Sequence, residues 1–179
     1  MPHASLPHFL QLFTLTDATA TERLTARLAL VLHDPAAYQA QYAEEFSISS
    51  RTELMEPQYL RDQALSEGLL NEELLANCDW KESAAEMAEH LNDVLTRQGR
   101  HEQLAVEPES DDYEVGVEQL DMVIEALEPL GLVLVEFDSG SDSYWMTVVA
   151  QEHAGLLREL ADKLGFQLSL SSEIKYGTE

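Results

Sequence analysis

Positive charge is the scarcest resource in this chain. Its 179 residues carry 10 lysines and arginines against 34 aspartates and glutamates, a formal net charge of -24. From His101 to Leu157 there is no lysine or arginine at all. Such a surface repels phosphate, so neither nucleic acid nor an anionic membrane is an expected partner. Cysteine is nearly absent. Cys78 stands alone, which excludes a disulfide framework and a cysteine-rich zinc site. Apolar runs are too short for a membrane span. The stretch from Met1 to Phe13 has neither the basic region nor the small-residue cleavage site of a secretory signal, so a cytoplasmic protein is expected. The sequence also lacks G-x-G-x-x-G, a P-loop, H-E-x-x-H and the G-x-S-x-G elbow. Its six histidines (His3, His8, His33, His90, His101, His153) show no paired zinc spacing. No catalytic set, cofactor or metal is therefore expected.

What remains is enough for a packed interior, since 45% of the residues are hydrophobic. The first hundred residues read as helical. Leu6 to Leu15 is a short apolar segment that starts near Pro7. The spacing of Thr19 and Glu22 suggests a capping box, and Leu24, Leu28, Val31 and Leu32 then mark one apolar face. Asp34-Pro35 is a restart signal, and Tyr38, Tyr42 and Phe46 step by four along the next helix. Pro57 opens another helix, which Gly68 is expected to stop, with a short helix over Leu69 to Leu75. Cys78 to Glu82 reads as a break. After it Ala84, Met87, Leu91, Val94 and Leu95 line one helix face up to Gly99.

Beyond residue 100 the pattern changes. Leu104 to Val106 is a candidate first strand, and Glu107 to Asp112 an acidic loop. A helix is expected from about Tyr113 to Gly131, with Val117, Leu120, Val123, Ile124 and Leu127 on one face. Leu132 to Ala150 then reads as two strands around a polar loop. A helix over Glu152 to Leu164, a last strand over Phe166 to Leu170 and a frayed tail from Ser171 complete the chain. The expected class is α+β. A helical region (1–100) packs on a sheet region (101–175), ferredoxin-like (βαββαβ) or three-to-four-stranded and mainly antiparallel, the two sharing one core.

Three places could carry chemistry. The hairpin loop, Asp138-Ser-Gly-Ser-Asp142-Ser143, groups two carboxylates and three hydroxyls around Gly140. A hard cation could use such oxygens, but the spacing is not that of an EF-hand. The plainer reading is a turn in which aspartate and serine bond backbone N–H groups and Gly140 takes positive φ. Asp79-Trp80 sits at a helix entry, where an indole is either a core wedge or an exposed partner contact. Glu86, His90 and Asp93 share a helix face, more simply solvated than metal-binding because no second Glu-x-x-His copy exists. Cys78 reads as a small buried hydrophobe.

The segment Phe137-Asp-Ser-Gly-Ser-Asp-Ser-Tyr144, between two apolar strands and ahead of a leucine-rich helix, resembles an uncharacterised bacterial family, the domain-of-unknown-function 6630 family. Cys78-Asp-Trp-Lys-Glu82 supports the likeness, which spans roughly the last hundred residues and the helix before them. Ser139 stands where relatives often have threonine, a change that keeps the hydroxyl. The resemblance brings no activity with it, but it singles out Asp138, Gly140, Asp142, Ser143 and Tyr144. Together with Asp79 and Trp80 these are the candidate contacts for a partner or ligand. The leading expectation is a non-enzymatic acidic module that captures a basic protein by electrostatic steering, as an immunity or antitoxin-like inhibitor would. The alternatives are a small-ligand sensor or regulatory domain, and a metal-dependent enzyme using Asp138, Asp142 and Glu136.

Overall fold

The computed structural model describes residues 5–45, 55–106 and 117–174. The element order is α1 (Leu6–Thr14), α2 (Ala18–His33), α3 (Pro35–Gln41), α4 (Pro57–Asn71), β1 (Ala76–Asp79), α5 (Ala84–Arg97), α6 (Val117–Leu127), β2 (Leu132–Phe137), β3 (Ser143–Ala150), α7 (Ala154–Leu164), β4 (Ser169–Leu170) and α8 (Ser171–Ile174). The fold is α+β, with a four-stranded antiparallel sheet in the order β1-β3-β2-β4.

Side-chain alternation along β2 divides the interior. Val133, Val135 and Phe137 face one layer, where α1, α2, α4 and α7 supply Phe9, Phe13, Leu24, Leu28, Leu65 and Leu160. Leu132 and Leu134 face the other, where Met87, Leu91, Val123 and Ile124 come from α5 and α6. The N-terminal helices thus cover one sheet face, as expected. A ferredoxin-like arrangement would put both crossover helices on one face, and here they lie on opposite faces. The strand order explains it. The steps from β1 to β2 and from β3 to β4 cross the sheet in the same direction, but the two strand pairs run oppositely. Right-handed crossovers then put α5 and α6 on one side and α7 on the other.

Several boundaries correct the sequence reading. Leu104 to Val106 is not a strand; Asn92 instead holds both the N–H and the C=O of Leu104, at 2.8 and 2.9 Å. The first strand is Ala76–Asp79, whose second half falls in the segment read as a break. Helix α2 is capped by Asp17, whose Oδ1 accepts the Ala20 N–H at 2.9 Å, not by Thr19. Gly68 does not stop its helix. It lies at the crossing of α4 with α2, where a Cβ would come within 2.9 Å of Leu24 Cδ2. Ser171 opens α8 rather than a frayed tail, and its Oγ accepts the Leu134 N–H at 3.2 Å. Other signals hold. Asp34 caps α3. The α5 residues Ala84, Met87, Leu91, Val94 and Leu95 are all buried. Phe46, the acidic loop Glu107 to Asp112 and the expected helix start near Tyr113 lie outside the described residues. Among those residues no helix is long and apolar enough to cross a membrane.

Candidate functional site

The two sequence motifs meet at one end of the sheet. Strand β1 pairs with β3 so that Cys78 lies opposite Tyr144 and Asp79 opposite Ser143. Just past this pairing the Trp80 N–H donates to the Asp142 carbonyl at 3.2 Å. The β1–α5 corner is therefore laced to the hairpin loop. Between them opens a cleft of about 450 Å³, walled by Trp80 and Tyr144, by the carboxylates Glu136, Asp138 and Asp142, and by loop serines. Of the seven candidate contacts, Trp80, Asp138, Asp142, Ser143 and Tyr144 line it. Asp79 and Gly140 do not, and both serve turns. Asp79 Oδ1 accepts the Lys81 N–H at 2.9 Å, and its own N–H donates to Glu82 Oε1 at 3.0 Å.

The hairpin loop is closed on itself. Gly140 sits at φ 63°, and its N–H donates to Asp138 Oδ1 at 2.8 Å. Ser139 Oγ donates to the Ser143 carbonyl at 2.8 Å and accepts the Ser141 N–H at 3.2 Å. Much of the polar capacity that could serve a cation is engaged in forming the turn, as the plainer reading of the loop expects. The cleft walls differ. Burial, reinforced by the neighbouring Asp138 charge, raises the Glu136 carboxyl above its ordinary range. Tyr144 is likewise raised, by burial and then by Glu136. Asp62, whose Oδ1 accepts the Gln167 N–H at 2.8 Å, is raised chiefly by burial, with Asp138 adding to it. Negative charge is thus crowded toward this end of the sheet. Trp80 is exposed at 38%, with Lys81 Nζ 5.2 Å from its ring centroid. The indole is a surface group and not a core wedge.

On the α5 side of the same corner lies a grouping that sequence spacing conceals. One ligand atom each from Cys78, Glu82 and His90 falls within 4.8 Å of the others. Cys78 is fully buried, and burial followed by the Glu82 carboxylate pushes its thiol up to about 12. Glu82 Oε1 serves the Asp79 N–H, while Oε2 is closed off from solvent and meets no well-aligned donor among the described residues. His90 Nε2 stands 3.3 Å from that oxygen. Glu86, His90 and Asp93 are all exposed, as the reading of a solvated helix face expects. Glu86 is turned back onto Ser83 as a capping residue, and that hydrogen bonding lowers its carboxyl.

An antiparallel sheet sandwiched by helices, with an acidic, aromatic-walled cleft where two short motifs converge, defines the class of α+β module. The chain matches the model of the Domain of unknown function (DUF6630) family over residues 5–171, and it belongs to that family. The match takes in the N-terminal helices as well as the sheet. No curated protein and no solved structure matches the chain.

Proposed function

We propose that this protein is a non-enzymatic, acidic binding module of the cytoplasm that takes a basic segment of a partner protein into the hairpin-end cleft. One observation carries the reading. The cleft combines two aromatic side chains, Trp80 and Tyr144, with three carboxylates, Glu136, Asp138 and Asp142, and no lysine or arginine lines it. That is the chemistry a guanidinium or ammonium group needs. The aromatic faces attract the cation, and the carboxylates accept its N–H groups in charge-assisted hydrogen bonds. Net charge of -24 adds long-range steering toward a basic surface, which speeds encounter before the specific contacts form. An inhibitor of a basic toxin, acting by covering the toxin's working surface, is the concrete form of this function.

The test is affinity capture from the native cytoplasm at low and at high salt, run in parallel with wild type and with Trp80→Ala combined with Asp138→Asn and Asp142→Asn. The reading expects one basic protein, captured at low salt, weakened at high salt and lost from the triple variant. Capture of the same protein in equal amount by the variant would move the binding surface away from the cleft.

A further inference from the structure

The β1–α5 corner carries a second site, independent of the partner reading. We propose that Cys78, Glu82 and His90 bind a zinc ion, with the thiolate, one carboxylate oxygen and the imidazole Nε2 as ligands and a water in the fourth position. The three ligands come from consecutive pieces of structure. Cys78 is on the edge strand β1, Glu82 in the turn that follows, and His90 on the second turn of α5. Their ligand atoms already converge within 4.8 Å. The distance from His90 Nε2 to Glu82 Oε2 is 3.3 Å. A tetrahedral ion with bonds of about 2.0–2.1 Å to nitrogen and oxygen sets those two ligands about 3.3 Å apart. The sulfur lies within 4.8 Å of both, so an approach of at most about 1.3 Å brings it to the corresponding S···N and S···O edges. Rotation of the His90 side chain, 47% exposed, can supply part of that movement without disturbing the buried strand.

Chemistry beyond proximity favours the ion. Glu82 Oε2 is shielded from solvent and meets no well-aligned hydrogen-bond donor among the described residues, with the Cys78 thiol and, at 3.3 Å, the His90 Nε2 beside it. A buried carboxylate oxygen served only by a thiol and a poorly aligned imidazole is weakly satisfied by the protein alone, and the same three groups are natural metal ligands. The other carboxylate oxygen is fixed by the Asp79 N–H, so the group is already oriented. One thiolate, one imidazole and one carboxylate make a ligand set suited to zinc, whereas calcium and magnesium prefer oxygen alone. The way in is open, since His90 also lines a cleft of about 580 Å³ along the outer side of β1. Such an ion would tie the edge strand to α5 beside the turn that presents Trp80. With a water in the fourth position the site also keeps one coordination place for an incoming ligand.

Cobalt(II) reports zinc-type sites directly, because cobalt bound to a thiolate gives a charge-transfer band and tetrahedral ligand-field bands. The full-length chain, free of any affinity tag and kept reduced with a phosphine, is titrated with cobalt and then with zinc in competition. His90→Ala and Glu82→Gln are the variants, since both side chains are partly exposed and their folding is checked by circular dichroism. The expected result is one cobalt per chain with a thiolate band, displaced by equimolar zinc. Each variant should bind at least about tenfold more weakly, because loss even of groups outside the ligand set commonly has that effect. Zinc should raise the melting temperature of wild type and leave that of His90→Ala unmoved. Absence of a thiolate band in wild type would overturn the site, and so would a band of unchanged strength in both variants.

Discussion

Two acidic corners lie side by side at one end of the sheet, and they handle their carboxylates in opposite ways. The hairpin loop is rich in oxygen, but it spends much of it internally. Asp138 accepts the Gly140 N–H, and Ser139 bonds Ser141 and Ser143. The β1–α5 corner has fewer polar groups, yet there Glu82 Oε2 is buried beside an imidazole and a thiol, with no well-aligned donor among the described residues. The comparison teaches that the density of ligand-type residues along a chain is a poor guide to a metal site. What matters is the coordination capacity left over once the backbone has been satisfied. The first corner therefore shapes a cleft wall and the second holds the unmet demand.

The sharpest contrast should appear in chemical reactivity. The Cys78 thiol is fully buried and pushed up to about 12, so little thiolate exists at neutral pH. With metal removed by a chelator, alkylation by iodoacetamide should be at least ~100-fold slower in the native protein than in the denatured one. Mass-spectrometric time courses check this, and equal rates would mean that the corner opens readily. Next in size is a backbone effect in the hairpin loop. Gly140→Ala leaves open space around its Cβ but forces alanine to φ 63°, at a cost of about 1–2 kcal/mol. For a domain of this size that corresponds to a melting point lower by roughly 2–8 °C. No change would show that the loop relaxes to another turn.

A smaller effect separates the cleft wall from the loop. The Glu136 carboxyl is raised by burial and by Asp138, so the folded state holds its proton at higher pH than the unfolded chain does. Stability from this group is present below the unfolded value and is lost as pH rises through the folded one. Glu136→Gln should therefore stabilise the protein near neutrality and flatten that part of the stability–pH curve above the ordinary glutamate value of 4.5. Chemical denaturation at several pH values measures it, and destabilisation at neutral pH would contradict it. The smallest effect is Asp138→Asn. The amide oxygen can accept the same Gly140 N–H, so the melting temperature should change by less than the Gly140→Ala shift, while one cleft charge is lost.

Local pattern was legible in the sequence wherever it was strong. The hairpin, the inward face of α5 and the Asp34 cap all follow from spacing and composition. Strand β1 was hidden because Ala-Asn-Cys-Asp has little intrinsic strand preference, and its pairing with β3 is made across some seventy residues of chain. Gly68 reads as a stop from sequence, but it is a point of close approach, which depends on where α2 runs. The same non-locality governs the sites. Trp80 and the hairpin loop were each noticeable, but their convergence on one cleft depends on the β1–β3 register. Cys78 and Glu82 stand in one conspicuous motif. His90, eight residues beyond Glu82, joins them through the angle between β1 and α5, which no spacing rule encodes.

The central claim is that the cleft walled by Trp80 and the three carboxylates recognises cationic groups. Tryptophan fluorescence tests it most directly, because the second indole, Trp145, is buried at 9% exposure. In a Trp145→Phe background the emission of Trp80 is followed while an oligoarginine peptide, or an oligoglutamate control, is added at low salt. The account predicts a saturable change with oligoarginine alone, reversed by salt and lost when Glu136, Asp138 and Asp142 are replaced by their amides. An emission that oligoarginine leaves unmoved, or that responds equally in the amide variant, would contradict it.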